Sequence, residues 1–503
     1  MSAPPSPSGD PGRRREDAGL FAPLIALTLS LFVARLVAGG VLHLTEDEAY
    51  YRLWAQAPAL GYYDHPPMIA WWIWLGVHLA GDSPLGVRLL PILAGVVPTG
   101  LVVDLARLAG ASPRERVRAG IWYNSMILVA AGGFLAVPDA PAALFWSVSL
   151  WATFRALRVD GLLWWLLAGL AAGLACLSKY SALFLGLGIL VWLLASQDGR
   201  RRLASPGPWL ALVVASGVFS LNVGWNATHQ WLTFAKQFGR VAPHTFAPRF
   251  FPELMVSQLL LLNPLLAVYL WRPGRGSNSV GGGGWPFLLT ALPFVLYLAL
   301  HSLHDRVQAH WPAPVYAGLA IAAAFGASRV GGFGRRLRWS VPVLGASVTA
   351  LAASVCVLPT LGVRLPVDPL GPVRGWPAFA RQLDGLRRTN GASWVGTMSY
   401  GLAAQLADEP LLSAPILQVS ERARWRNGVS AGAPDVSKPG ILVDLPRRID
   451  MAALRRCFAH VQPIEPIVRG SDAPPLRGRL YAVILVSGPT RDLPQDGCGV
   501  AMP

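Results

Sequence analysis

Four carboxylates and a histidine stand close together in a chain otherwise poor in acids: Glu46, Asp47 and Glu48, then Asp64 and His65. They directly follow the first long apolar run. At helical spacing Asp47, Tyr50 and Tyr51 share a face. A carboxylate beside an apolar interface and aromatic rings can take the proton of an attacking hydroxyl. Asp47 and Glu48 are therefore candidate catalytic residues. The same residues also spell a helix start, because acids favour an N-terminus and Thr45 with Glu48 makes a capping box. Spacing alone leaves both readings open. In Asp64-His65-Pro66-Pro67 the double proline fixes a sharp turn. Its Asp and His can ligate a divalent metal or bind an anion, and a plain interfacial turn explains them equally well. Asp64 and, further along, His229 are the candidate metal ligands. A divalent cation is the one cofactor these side chains call for.

The basic candidates are spread more widely. Lys179 lies between two apolar runs with no acid near it in sequence, which is costly unless it snorkels or binds an anion. Arg35 lies inside the first apolar run and Arg88 starts the second. Snorkelling explains either arginine alone, while the three cations together suggest a phosphate site. Asp139, framed by Pro138 and Pro141, either caps a helix or takes part in the site. His229, Trp231, Gln308, His310 and Trp311 stand at the ends of later apolar runs. Singly they are interfacial anchors, and together they would line a polar, aromatic site suited to a sugar.

The elements that must position these groups are apolar helices. The chain is 503 residues long, 53% hydrophobic and 14% charged, against about 25% charged in soluble domains. Apolar runs of about 20 residues recur, the mark of membrane spans. This composition excludes a soluble multidomain enzyme. The expected fold is a polytopic α-helical membrane protein with about 11 spans, near 20–42, 85–105, 119–136, 141–154, 161–177, 181–196, 208–224, 252–271, 285–302, 312–327 and 339–360. The shorter Trp-rich run 67–79 suits a helix lying in the interface or a re-entrant piece.

The net charge of +16 comes from arginines in short loops between apolar runs, a pattern that sets topology rather than binding nucleic acid. Arg clusters at 107–118, 155–158, 200–202, 272–275 and 329–338 belong in the cytoplasm by that rule. The loops at 43–66, 137–141, 178–180, 225–250 and 303–311 then lie outside. An odd span count also puts residues 361–503 outside. Three regions follow: a disordered cytoplasmic N-terminus over 1–18, a transmembrane catalytic domain over 19–360, and a small extracytoplasmic α/β domain over 361–503. In the last, 440–445 and 480–487 read as strands, and 375–388 and 449–458 as helices. Cys457 and Cys498 could pair there if the compartment is oxidising.

Asp47-Glu48-Ala49-Tyr50-Tyr51 followed by Tyr62-Tyr63-Asp64-His65-Pro66-Pro67 resembles the first extracytoplasmic loop of the polyprenyl-phosphate-dependent membrane glycosyltransferases. That superfamily includes the protein O-mannosyltransferases and the lipid A aminoarabinose transferase. The likeness continues at Asp139-Ala140-Pro141, Leu177-Ser178-Lys179-Tyr180, Trp225-Asn226-Ala227-Thr228-His229-Gln230-Trp231, His310-Trp311-Pro312-Ala313-Pro314 and Ser399-Tyr400-Gly401-Leu402-Ala403-Ala404. It implies a GT-C fold, with interfacial helices in the first outer loop and an active site at the outer face of the cytoplasmic membrane. It implies inverting transfer of a sugar from a polyprenyl-phosphate donor to a hydroxyl on a cell-envelope glycan, lipid or protein. Asp47 would be the base, and Asp64 would match an acidic position implicated in metal binding. His65 stands where the aminoarabinose branch has lysine. Arg35, His65, Arg88, Asp139, Lys179 and His310 are the candidate contacts to the donor's phosphate and sugar.

No Gly-rich nucleotide fingerprint is present, and a lipid-borne donor needs none. The rival class is a transporter or lipid flippase, which would place polar groups near the midplane with paired repeats. Here the acids gather at one surface. A non-catalytic scaffold, with the outer domain binding a partner, is the third reading.

Overall fold

The computed structural model describes residues 11–159, 161–239, 246–272, 274, 282–357, 370–425, 434–470, 478–493 and 498. Residues 1–10 of the expected disordered N-terminus lie outside this set, as do 240–245 of the loop at 225–250 and 361–369. The chain forms two compact units: Met1–Val37 with Pro91–Leu351, and Ala38–Leu90 with Ala352–Pro503.

The first unit is helical. Its apolar runs become helices whose breaks have local causes. The expected span at 85–105 forms Pro84–Ala94, which carries Pro91 inside it, and Val97–Leu108, with a break at Gly95-Val96 just before Pro98. The run at 252–271 stops at Leu262 because Asn263 takes a φ of 77°. The Asn263 side-chain amide then donates to the carbonyls of Ser125 and Val341, and its oxygen accepts from the Leu265 amide. Small residues let helices approach closely, the packing mode of bundles that lack a hydrophobic driving force. A methyl group on Gly169 would run into the Ala211 backbone, and one on Gly188 into Thr290. The core gathers Trp122, Trp146, Phe154, Trp192, Phe287 and Phe294 around the alanine-rich helix Tyr316–Ala327.

Among the described residues three helices are long and apolar enough to cross a membrane: Gly19–Val41, Pro84–Leu108 and Pro206–Thr228. Met68–Ala80, Leu162–Cys176, Tyr180–Leu194, Phe250–Leu262, Trp285–His301 and Ala313–Ala327 are shorter apolar helices. The run at 67–79 is thus a helix of 13 residues.

The second unit carries a six-stranded sheet in the order β2-β1-β3-β6-β4, with β5 also paired to β6. The strands are β1 Trp394–Thr397, β2 Ile416–Gln418, β3 Gly440–Asp444, β4 Phe458–Pro463, β5 Ile467–Arg469 and β6 Arg479–Pro489. β1 runs parallel to β2 and β3, and β6 is antiparallel to β3, β4 and β5. Every residue of β1, β2 and β3 is buried, as expected for parallel strands covered on both faces. Val395, Ile441 and Val443 face one apolar layer with Phe379 and Leu402. Trp394, Leu417 and Leu442 face the other, with Leu454 and Phe458. Cys457 and Cys498 lie in that second layer as buried thiols.

The strands expected at 440–445 and 480–487 and the helices at 375–388 and 449–458 correspond to β3, β6, Trp376–Thr389 and Met451–Cys457. The short strands β1, β2, β4 and β5 and the helix Tyr400–Asp408 were not read from the sequence. The same unit contains two helices from the first loop, Glu46–Ala55 and Met68–Ala80. Glu46–Ala55 packs on Tyr400–Asp408. There the Gln405 side chain donates to the Leu44 carbonyl at 2.6 Å, Arg52 pairs with Asp408, and Gly401 leaves room for the Glu46 side chain.

Candidate active site

The helix Glu46–Ala55 is set by its N-terminus. Thr45 and Glu48 form the capping box, each side chain meeting the other's backbone amide. Glu48 is completely buried and bonded twice by Arg88, from Nε to Oε1 at 2.8 Å and from Nη2 to Oε2 at 2.7 Å. The rest of the Arg88 fork donates to the carbonyls of Gly39, Leu42 and His43, where the first long helix ends. Arg and carboxylate thus clamp the end of one helix to the start of the next. Of the two candidate site residues, Glu48 thus stands in the helix cap and Arg88 against its carboxylate and these carbonyls.

One helical step away, Asp47 is half-buried and accepts a hydrogen bond from the Tyr400 hydroxyl at 2.9 Å. Tyr50, on the same helix face, packs against Tyr400 with ring centroids 4.9 Å apart. Burial, with Asp47 nearby, pushes the Tyr400 phenol well above its ordinary value. It therefore stays protonated and a donor to Asp47.

Asp64 is buried and paired with Arg424, which also holds Glu421 at 2.8 Å. The Arg424 guanidinium lies over the rings of Tyr400 (4.2 Å), Tyr63 (5.0 Å) and Tyr50 (5.6 Å). His65 is half-buried against Tyr51, edge to face. Tyr62 stacks on Trp54 at 4.5 Å, and burial pushes its phenol up to about 12.

The metal assignment does not fit this donor set. The cation beside Asp64 is a guanidinium. His229 belongs to the other unit, where it stacks on Trp225 and its Nδ1 faces the Trp225 carbonyl. No group of three or more His, Cys, Asp or Glu gathers among the described residues.

The first unit brings together three of the expected donor contacts. Lys179 Nζ donates to Oδ1 of Asp139 at 2.7 Å, and His310 Nε2 lies 3.5 Å from Oδ2. Trp311 covers the ammonium at 5.3 Å. Asp139, the first residue of its helix, is the acid that Lys179 lacks in sequence. Arg35, also buried, donates instead to the carbonyls of Gly95 and Val129. Gly95 and Gly133 make room for its guanidinium.

Sequence reasoning quoted Tyr400 in a motif without a role and missed Arg424 and Glu421 altogether. Glu421 has a φ of 44°, a local feature that no sequence pattern announces.

Residues 64–225 match the family described as dolichyl-phosphate-mannose-protein mannosyltransferase. The lipid A galacturonosyltransferase RgtD of Rhizobium johnstonii is 28% identical over 304 residues, 56% of this chain and 59% of that protein. An undecaprenyl phosphate-alpha-4-amino-4-deoxy-L-arabinose arabinosyl transferase of Pseudomonas aeruginosa is 33% identical over 29% of this chain and 28% of its own length. The chain thus spans less than two thirds of the length of these curated relatives. The crystal structure of ArnT from Cupriavidus metallidurans bound to undecaprenyl phosphate superposes with a TM-score of 0.63, at 16% identity, over 93% of this chain and 98% of that one. Sequence and fold bear out the resemblance carried by the loop motifs: parts of the chain are similar in sequence to these transferases, and the chain has the fold of ArnT.

Proposed function

We propose that this protein transfers a sugar, with inversion, from a polyprenyl-phosphate donor to a hydroxyl on a cell-envelope glycan, lipid or protein. The observation that carries this reading is the Asp47 carboxylate, held by Tyr400 at the start of the helix that follows the first apolar span. Asp47 takes the acceptor's proton as its oxygen attacks the anomeric carbon. The bond from that carbon to the phosphate oxygen breaks, and the electron pair leaves with the lipid phosphate. One base and an in-line attack suffice for inversion. Lys179, set by Asp139 and flanked by His310 and Trp311, forms within the first unit a cationic, aromatic cluster suited to a phosphate or a sugar. No step runs through a metal, because Asp64 already has a cation.

The relatives support the donor class. One acts on lipid A by name, another is named for an undecaprenyl phosphate donor, and the solved structure of similar fold holds undecaprenyl phosphate. Nothing in them favours a transporter or flippase. The arginine pattern supports a multi-pass arrangement of about 11 spans in the cytoplasmic membrane, including helices shorter than a full crossing. It also supports a transmembrane catalytic region over 19–360 and an extracytoplasmic region over 361–503.

The test incubates the full chain in liposomes with undecaprenyl-phosphate-linked aminoarabinose, galacturonate, mannose and other sugars. Release of undecaprenyl phosphate together with a glycosylated acceptor supports the proposal. Movement of an intact lipid-linked sugar between leaflets, without cleavage, contradicts it.

A further inference from the structure

Arg424 engages two carboxylates and three aromatic rings in the second unit, and the proposed reaction gives it no role. It is 4% exposed. A buried guanidinium is costly unless paired and hydrogen-bonded, and here two carboxylates and three aromatic rings do both. Asp64 comes from the turn before Met68–Ala80, and Glu421 from three positions upstream. Glu421 presents its carboxylate from a left-handed backbone. Such a conformation costs on the order of 1–3 kcal/mol in a non-glycine residue and persists where the surroundings over-determine it. Tyr50, Tyr63 and Tyr400 bring their rings within 6 Å of the guanidinium, the range of cation–π attraction. The nearest of these rings, Tyr400, is the one whose hydroxyl holds Asp47. Next to Arg424, Trp425 packs edge to face on Tyr50 and donates to Gln418. The contact chain therefore runs unbroken from the Arg424 guanidinium through the Tyr400 ring to the Asp47 carboxylate.

We propose that Arg424 is a positioning residue for the transfer reaction. It is a built-in cation that ties the Asp64 turn to the C-terminal segment and fixes the Tyr400 ring, so that the Tyr400 hydroxyl aims the Asp47 carboxylate. Asp64 is then the anchor of this cation and needs no metal. The inference rests on the reading of Asp47 as the base. A misplacement of about 1 Å at a reacting group costs on the order of 10²-fold in rate, so a residue with no substrate contact can still control kcat.

The experiment compares wild type, R424K and R424A for transfer from the undecaprenyl-phosphate sugar that wild type uses. R424A is expected to lose about 10²-fold in kcat with little change in KM for the donor. Added guanidinium chloride should restore part of that loss, whereas R424K, which keeps the charge but lacks the planar fork, should stay impaired. Chelators should leave wild type unchanged. If R424A does not fold, the charge-neutral pair D64N/R424Q takes its place, with the same fall in kcat expected. Wild-type kcat in a folded Arg424 variant, or activity abolished by chelators and restored by a divalent cation, overturns the proposal. Absence of transfer in wild type counts against the reaction itself, and a second readout then decides the role of Arg424. Thermal unfolding of R424Q, D47N and the double variant should be non-additive if the two sites are coupled. Additive effects overturn the coupling.

Discussion

Tyr400 and Asp47 stand 353 positions apart and meet in a hydrogen bond of 2.9 Å, with the tyrosine donating to Oδ1 of the carboxylate. A hydrogen bond to a charged group contributes about 1.5–3 kcal/mol. Y400F should therefore lower stability by up to that amount and, because Asp47 loses its aim, lower kcat by roughly 10- to 100-fold, the rate equivalent of that energy. Steady-state kinetics beside a melting curve checks this. A Y400F enzyme as fast as wild type would show that the bond does not aim the base.

Glu48 and Arg88 predict a stability effect. Both side chains are fully buried, and removing one partner of such a pair costs about 3–5 kcal/mol because the other charge is left uncompensated. E48Q should lower the melting temperature in detergent sharply. E48Q/R88Q should recover part of the loss, with a coupling of about 0.5–3 kcal/mol. Additive losses would mean that Arg88 acts only through the carbonyls of Gly39, Leu42 and His43.

The Asp139–Lys179 pair predicts a binding effect. K179M removes the cation and should raise KM for the lipid donor and lower kcat. D139N should do the same more weakly, because it leaves the ammonium in place without its anchor. H310A should be the mildest of the three, since the His310 side chain is 43% exposed and lies 3.5 Å from Asp139. Donor-concentration series for each variant would reveal this order.

Glu46 predicts a pH dependence. Burial raises its carboxyl above the usual 4.5, against the opposing charges of Arg479, Arg448 and Arg469. The folded state therefore binds this proton more tightly than the unfolded one. Its contribution to stability is full below about pH 4.5 and is lost as pH rises through the raised value. E46Q cannot titrate, so wild type should lose stability relative to E46Q as pH increases from about 4.5 toward neutrality. Parallel pH profiles in melts of the two proteins would expose any error of sign.

The sequence was informative where chemistry is local. The capping box at Thr45 and Glu48, the shared face of Asp47 and Tyr50, and the apolar run at 67–79 are all short-range patterns, and each reappears in the fold. Asp139, Lys179 and His310 were selected singly for their positions at span ends, and they meet in one cluster. Arg424 was invisible because its partner Asp64 lies 360 residues away and no periodicity links the two. The partners of Arg88 were illegible for a related reason. An arginine at the start of a span looks the same whether it faces a phosphate or a buried glutamate, and only the fold shows that the Glu48 carboxylate and three carbonyls engage it. Span lengths were the other weak point, because Asn263 breaks a helix that hydropathy alone would run through.

The measurement that bears most directly on the account is a comparison of wild type and D47N on one undecaprenyl-phosphate sugar, with donor binding and melting temperature measured on the same preparations. General-base catalysis contributes about 10²- to 10⁴-fold. D47N should therefore stay folded and bind the donor like wild type while transferring the sugar at least about 10²-fold more slowly. Transfer at the wild-type rate by a folded, donor-binding D47N protein would contradict the central claim that Asp47 takes the acceptor's proton.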